Sequence, residues 1–175
     1  FYAFLFAPIV LVMIISSKIN SLSASMASFL FFVYSAVTGV TLSAIFLMYT
    51  QESIATTFGI TAGTFGATAL FGYVTKKDLS KMGSILFMLL IGLIIASVVN
   101  MFLKNDTMMW ILTYVGIVIF VGLTAYDMQK LKKIAHSIDD DESSIAKFAV
   151  LGALTLYLDF INLFLRLLQI FGKKR

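Results

Sequence analysis

The stretch AKFAVLGALTLYLDFINLFLRLLQIF, Ala146 to Phe171, decides the fold. It is long enough to cross a bilayer, for which a helix needs about 20 apolar residues, yet it carries a line of polar side chains. Gly152, Thr155, Asp159, Asn162, Arg166 and Gln169 recur at alternating steps of three and four, which places them on one narrow face of an α-helix. The remaining faces are Leu, Phe, Ile and Val. An aspartate near the bilayer centre costs about 2.5–3.5 kcal/mol even on lenient insertion scales, so the stripe must face protein or water. We therefore expect this helix to be surrounded by others and to be the most enclosed element of the chain. Thr155, Asn162 and Gln169 suit hydrogen bonding between helices. Asp159, close to the middle of the span, suits a functional role.

The rest of the chain supplies the neighbours. Of 175 residues, 60% are hydrophobic and one is proline, and the mean hydropathy is +0.99. Soluble domains are about 45–50% apolar, so this is an integral membrane protein. Its apolar runs lack the alternating segments of about ten residues that build an outer-membrane barrel, so the spans are helical. Six are expected: Phe1 to Ser16, Met26 to Tyr49, Ile54 to Val74, Met82 to Leu103, Met108 to Lys130 and Ala146 to Phe171. The numbering opens inside an apolar run without an initiator Met, and we expect a segment to precede Phe1. The absence of cysteine excludes disulfides and thiolate metal sites.

Within the spans, Thr57, Thr61, Thr64 and Thr68 share a face of the third, with Gly59, Gly63 and Ala67 nearby; small residues at this spacing predict tight packing on at least two neighbours. In the loop TKKDLSK, Thr75 to Lys81, Asp78 is placed to cap the next helix, with its lysines at the lipid headgroups. Asn100 is a candidate buried amide. Trp110 and Tyr114 read as interface anchors. Asp127 follows the uncharged run Met108 to Tyr126 and precedes Lys130 by three residues, at or just inside the membrane boundary. The acidic run Asp139 to Glu142 lacks the spaced ligands and the glycine of an EF-hand and reads as a solvated loop, with His136 exposed beside it.

The net charge is +4. Alternating loops put Lys18, Lys76, Lys77, Lys81, Lys130, Lys132, Lys133 and Lys147 on one side, and Lys104, Arg166, Lys173, Lys174 and Arg175 on or toward the other. The first side is then cytoplasmic, although the basic C-terminus pulls the opposite way. Basic residues so placed orient a membrane protein, and no nucleic-acid partner is expected.

Two stretches are specific enough to carry a resemblance. LTAYDMQKLK (Leu123 to Lys132) and ALTLYLDFINLFLRLL (Ala153 to Leu168) resemble the signature stretches of the Bax inhibitor-1 family, also called the transmembrane Bax inhibitor motif family. GVTLSAIFLMYT (Gly39 to Thr50) and TFGATALFGYVTKKDLSKMG (Thr64 to Gly83) resemble its bacterial branch, which implies a bacterial inner (cytoplasmic) membrane. The resemblance implies an all-α bundle of seven helices, six of them in this chain as a single transmembrane domain, arranged around the C-terminal one. The first family helix would precede Phe1. It also implies a pH-dependent calcium leak governed by two aspartates, whose positions match Asp127 and Asp159. Some members carry a basic latch for one aspartate near the cytoplasmic end of their second helix. The matching end here reads ISSKIN, with Lys18 its only cation, and the latch is not carried over.

A carboxyl pair suits a gate on physical grounds alone. One oxygen must donate a proton for the other to accept, so the two helices attract or repel as that proton comes and goes. Calcium prefers six to eight oxygen ligands, so Asp127 and Asp159 with a few neutral groups would form only a weak, leaky site. Asn162, Thr155, Asn100, Arg166 and Lys18 are candidates to line or support the path. Depth is the demanding requirement. Asp159 lies about 20 Å along its helix from Ala146 at 1.5 Å per residue, whereas Asp127 is nearer a membrane face. Pairing therefore needs the fifth span to continue past Lys130 or the last to begin well outside the bilayer. No nucleotide-binding loop argues for a pump, and neither a cofactor nor enzymatic chemistry is expected. The competing readings are a regulator that binds another membrane protein, such as a protease or cell-death factor, and a proton-coupled transporter, although no inverted repeat stands out.

Overall fold

The computed structural model describes residues 11–18, 21–137 and 141–175, and within these the fold is all-helical. In chain order the helices are α1 (11–18), α2 (Ala24–Leu42), α3 (Ile45–Met48), α4 (Gln51–Val74), α5 (Ser80–Leu103), α6 (Asp106–Ala135) and α7 (Glu142–Phe171). Five segments among the described residues are long and apolar enough to cross a membrane, α2 and α3 counting as one. Of the first expected span, Phe1 to Ser16, the part before residue 11, Pro8 included, lies outside the described residues.

Local chemistry sets the helix ends. Ser23, Thr50, Asn105 and Asp141 each accept, through a side-chain oxygen, a backbone N–H of the first turn of α2, α4, α6 and α7. At Asp141 the hydrogen bond from the Ser144 hydroxyl, reinforced by the Ser144 and Ser143 backbone, holds the carboxyl below the usual range. So the acidic run ends in a cap, while Asp139 and Asp140 lie outside the described residues. The expected second span is broken between α2 and α3. There the Ser43 hydroxyl donates to the Val40 carbonyl at 2.6 Å, and its N–H bonds the same oxygen at 3.2 Å, tightening the turn. Lys104 closes α5 with φ 50°, in the left-handed region.

The start of α5 departs from the expected cap. Asp78 lies ahead of the N-cap Leu79 and accepts from the Ser80 N–H at 3.2 Å and from its hydroxyl at 2.8 Å. The Leu79 N–H itself donates 2.9 Å to Gln129 Oε1 on α6, and Gln129 Nε2 donates 2.8 Å to the Lys77 carbonyl. One buried side chain thus holds both strands of the loop. Lys133 donates to Asp78 at 2.7 Å, the one salt bridge among the described residues. That contact, with the Ser80 bonds, draws the exposed Asp78 carboxyl down to about 2. Because the folded value is depressed, whatever this pair contributes is present above the free carboxylate's pKa of about 3.9 and is lost only as the pH falls toward 2.

These two ties predict opposite sensitivities. Gln129→Ala should lower the thermal unfolding midpoint in detergent clearly, because a buried backbone group left without a partner costs about 1–3 kcal/mol. Asp78→Ala should barely move it, since exposed ion pairs contribute little. Equal midpoints for the two variants would refute the assignment.

Packing places α6 and α7 together at the centre. α7 lies against α2, α4 and α6, and α6 against α4, α5 and α7. Aromatic edges lock the apolar faces of α7: Phe160 meets Phe58 and Phe65 of α4, each at 5.4 Å, and Tyr157 meets Tyr34 of α2 at 5.7 Å. The greater enclosure, however, belongs to α6. Buried residues make up 44% of its most apolar stretch and 28% of that of α7. The difference lies in the middle of α6, where Ile119, Phe120, Leu123, Thr124 and Ala125 are buried among α4, α5 and α7, while Tyr114, Val115 and Val118 form an exposed face. α5 leans mainly on α6 and turns Met88, Ile91, Ile95 and Phe102 outward, as a lipid-facing helix must. Trp110 and Tyr114 stack with ring centroids 6.1 Å apart near the start of α6.

Candidate functional site

The register between α6 and α7 decides which polar groups meet. The Thr113 hydroxyl donates 2.6 Å to Gln169 Oε1. A Cβ built on Gly116 would touch Arg166, and one built on Gly152 would touch Leu131. These contacts fix one antiparallel pairing along both helices. Both conditions for matching the depths of the aspartates hold: α6 continues to Ala135, and α7 begins at Glu142, before the bilayer-length run.

In that register Asp127 and Asp159 meet in a side-chain hydrogen bond. Two carboxyl groups bond in this way only if one carries a proton. Asp159 is 5% exposed and Asp127 partly buried. The second oxygen of Asp159, Oδ2, is buried without a protein partner, which leaves it free for water, a proton or a cation. Lys130 attracts Asp127 electrostatically without forming an ion pair, and its ammonium sits 6.0 Å from the centroid of the Tyr126 ring.

The dyad opens into a cavity of about 750 Å³ walled by α5 and α7, with α6 as its floor. Its polar lining is Ser84 and Ser97 from α5, Tyr126, Asp127 and Lys130 from α6, and Thr155, Asp159, Asn162 and Arg166 from α7. Four of the six stripe residues read from the sequence, with Leu158, therefore supply the α7 wall. Of the three side chains assigned to interhelical hydrogen bonding, Gln169 forms such a bond. Thr155 instead donates to the Leu151 carbonyl at 2.9 Å, and Asn162 to the Leu158 carbonyl at 2.8 Å, each within α7. Asn100 is not at the dyad. It accepts the Asn105 N–H at 3.1 Å, closing the turn from α5 to α6, and borders a second cavity of about 380 Å³. Lys18 is exposed at the end of α1 and makes no ion pair among the described residues.

Among the described residues no three His, Cys, Asp or Glu side chains converge. A cation at the dyad would rest on two carboxylates and on neutral oxygens such as the hydroxyl of Thr155, a set too small for tight calcium binding. Two contributors were missed in the sequence. Ser97 interrupts an apolar run three residues before Asn100, a helical spacing that marks a common face. Gln129, which ties the loop before α5 and does not border this cavity, lies two residues after Asp127 in LTAYDMQKLK, where nothing singled it out.

The comparisons with known proteins agree with this architecture. The family described as "Inhibitor of apoptosis-promoting Bax1" matches residues 1–175. The inner membrane protein YbhL of Escherichia coli K12 is 57% identical over 170 residues, covering 97% of this chain and 73% of that protein. An uncharacterised protein of Borreliella burgdorferi is 52% identical over 165 residues, covering 94% of this chain and 71% of the relative. The protein RP147 of Rickettsia prowazekii is 44% identical over 171 residues, 98% of this chain and 72% of its own length. With a match across the whole chain and five helices able to span a bilayer, this is a multi-pass inner-membrane protein that belongs to the Bax inhibitor-1 family.

Proposed function

We propose that this chain forms a pH-sensitive calcium leak, gated by the proton that Asp127 and Asp159 share. The observation that carries the reading is the dyad itself: two membrane-embedded carboxyls in a direct hydrogen bond, one with an unpartnered oxygen, on the wall of a polar-lined cavity. Loss of the shared proton replaces an attraction between α6 and α7 with repulsion between two anions in a poorly screened setting. That is a two-state element biased by pH. In its anionic form the pair offers a divalent cation a weak site, which suits permeation better than storage. Thr155 and Asn162 stand within one helical turn of Asp159 on the cavity wall and extend the polar path.

The test is calcium flux into liposomes holding the purified full-length protein, scanned over pH. Expected is a flux well above empty liposomes that changes with pH as one cooperative step. Flux no greater than in empty liposomes at every pH would overturn the leak, and would favour the regulator that works by binding a membrane-protein partner. A calcium flux that requires and dissipates a proton gradient would indicate the coupled transporter instead.

A further inference from the structure

Arg166 is a cation inside the bilayer-spanning part of α7 that makes no ion pair among the described residues, the Asp127 and Asp159 carboxyls on the same cavity being bonded to each other. Among the described residues the only salt bridge is that of Lys133 with Asp78, at the other end of the bundle. The guanidinium is half-buried and lies across α6, where Gly116 leaves room for it: a Cβ there would stand 3.0 Å from Nε and 3.3 Å from Cδ. An unpaired charge in a poorly hydrated setting is costly, and such groups within membrane spans face partners or water-filled space.

The space it faces is the junction of the two cavities. Only Ser97 and Arg166 border both the cavity of about 750 Å³ that holds the dyad and the smaller one of about 380 Å³ toward the turn from α5 to α6. Ser97 supplies a second, independent sign. Along α5, α6 and α7, Ser84, Thr113, Thr124 and Thr155 donate to the carbonyl one turn back, although Thr38 of α2 and Thr57 of α4 also keep a buried, unpartnered hydroxyl. The Ser97 Oγ is buried and has no hydrogen-bond partner. At the junction, then, a fixed positive charge and an unused hydroxyl donor converge, with Lys104 on the rim of the smaller cavity and Asp106 as its one acid, exposed in the first turn of α6.

We propose that Arg166 and Ser97 bind a small anion, a halide or a compact carboxylate or inorganic oxyanion, at the junction of the two cavities. The bidentate fork of the guanidinium with one added hydroxyl matches the two or three acceptor lone pairs that such an anion offers. The site follows from geometry alone and does not depend on the calcium reading. Its consequence for any path between the cavities is electrostatic: with the anion absent a cation meets a bare guanidinium, and with the anion bound that barrier is neutralised.

The experiment uses purified full-length protein in detergent at fixed pH, with sodium chloride or sodium acetate added stepwise and wild type compared with each variant at the same ionic strength, so that general salt effects cancel. A ligand that binds only the folded state raises the unfolding midpoint with ligand concentration. Expected is a rise with at least one of these probes in wild type, its loss in Arg166→Gln, its retention in Lys76→Gln at the opposite end, and a concentration requirement about tenfold higher in Ser97→Ala. A wild-type response to chloride and to acetate no greater than that of Arg166→Gln overturns the site. Should Arg166→Gln not fold, Ser97→Ala decides alone, and an unchanged concentration dependence there overturns the proposal. Calcium flux has no part in these outcomes, so failure of the leak and failure of the anion site are separable.

Discussion

Gly72→Ala is expected to be the most destabilising single-methyl change in the chain. A Cβ at position 72 would stand 2.1 Å from the backbone oxygen of Ala125 and 2.8 Å from its Cα. Neither atom belongs to a side chain that can swing aside. One helix must therefore move, and α6 is held by α5 and α7 as well as by α4. Overpacking of this kind costs about 1–3 kcal/mol and occasionally more, and an obstruction made of backbone belongs at the upper end. Ala125 is two residues from Asp127, so any displacement also shifts the dyad. Gly59, Gly63 and Gly66, on the same helix, would meet nothing within 4 Å. Alanine at each should be neutral or slightly stabilising, because alanine has the better helix propensity by up to about 1 kcal/mol. Unfolding midpoints of the four alanine variants in one detergent check the contrast. A Gly72→Ala protein as stable as Gly59→Ala would show that α4 and α6 do not approach at this point.

The second large effect is on function. Asp159→Asn should leave a calcium flux that no longer responds to pH, fixed near the level wild type shows while the pair holds its shared proton. The amide keeps the size of the carboxyl and can donate a hydrogen bond to Asp127 at any pH. It imitates the joined state and removes the titration that ends it. A coupling of about 1.4 kcal/mol corresponds to tenfold, so a wild-type change of about tenfold or more across the transition should flatten. Asp139→Asn, in the acidic run outside the described residues, should alter neither level nor profile. Charges there lie beside other acids and are screened over about 8 Å at physiological salt. A wild-type pH profile in Asp159→Asn would remove Asp159 as the sensor and move the role to Asp127 with a different partner.

Much of this molecule is legible from the chain alone, because a bilayer imposes two one-dimensional rules. Spans must be long and apolar, and polar groups within them must be sheltered. Those rules suffice for the helical class, for the runs that became α4, α5, α6 and α7, and for the stripe Thr155, Asp159, Asn162 and Arg166 that lines the cavity. The YD and LYLDFINLF stretches add the family. What stayed out of reach depends on distances between segments. The small-residue face of α4 does pack on two neighbours, α6 and α7, with Thr57 and Thr61 buried, yet Gly59 and Gly63 face open space and the closest backbone approach is at Gly72, because a glycine's packing role depends on which way its face is turned. The amphipathic α7 looked the more enclosed, yet α6 is, since burial depends on how closely the neighbouring helices approach, which neither the polar stripe of α7 nor the apolar run of α6 encodes. Gln129 joins the loop from α4 to α5 across 50 positions of sequence. The meeting of Asp127 with Asp159, and of two cavities at Ser97 and Arg166, requires the antiparallel register of α6 and α7, which side-chain packing sets and no local pattern encodes.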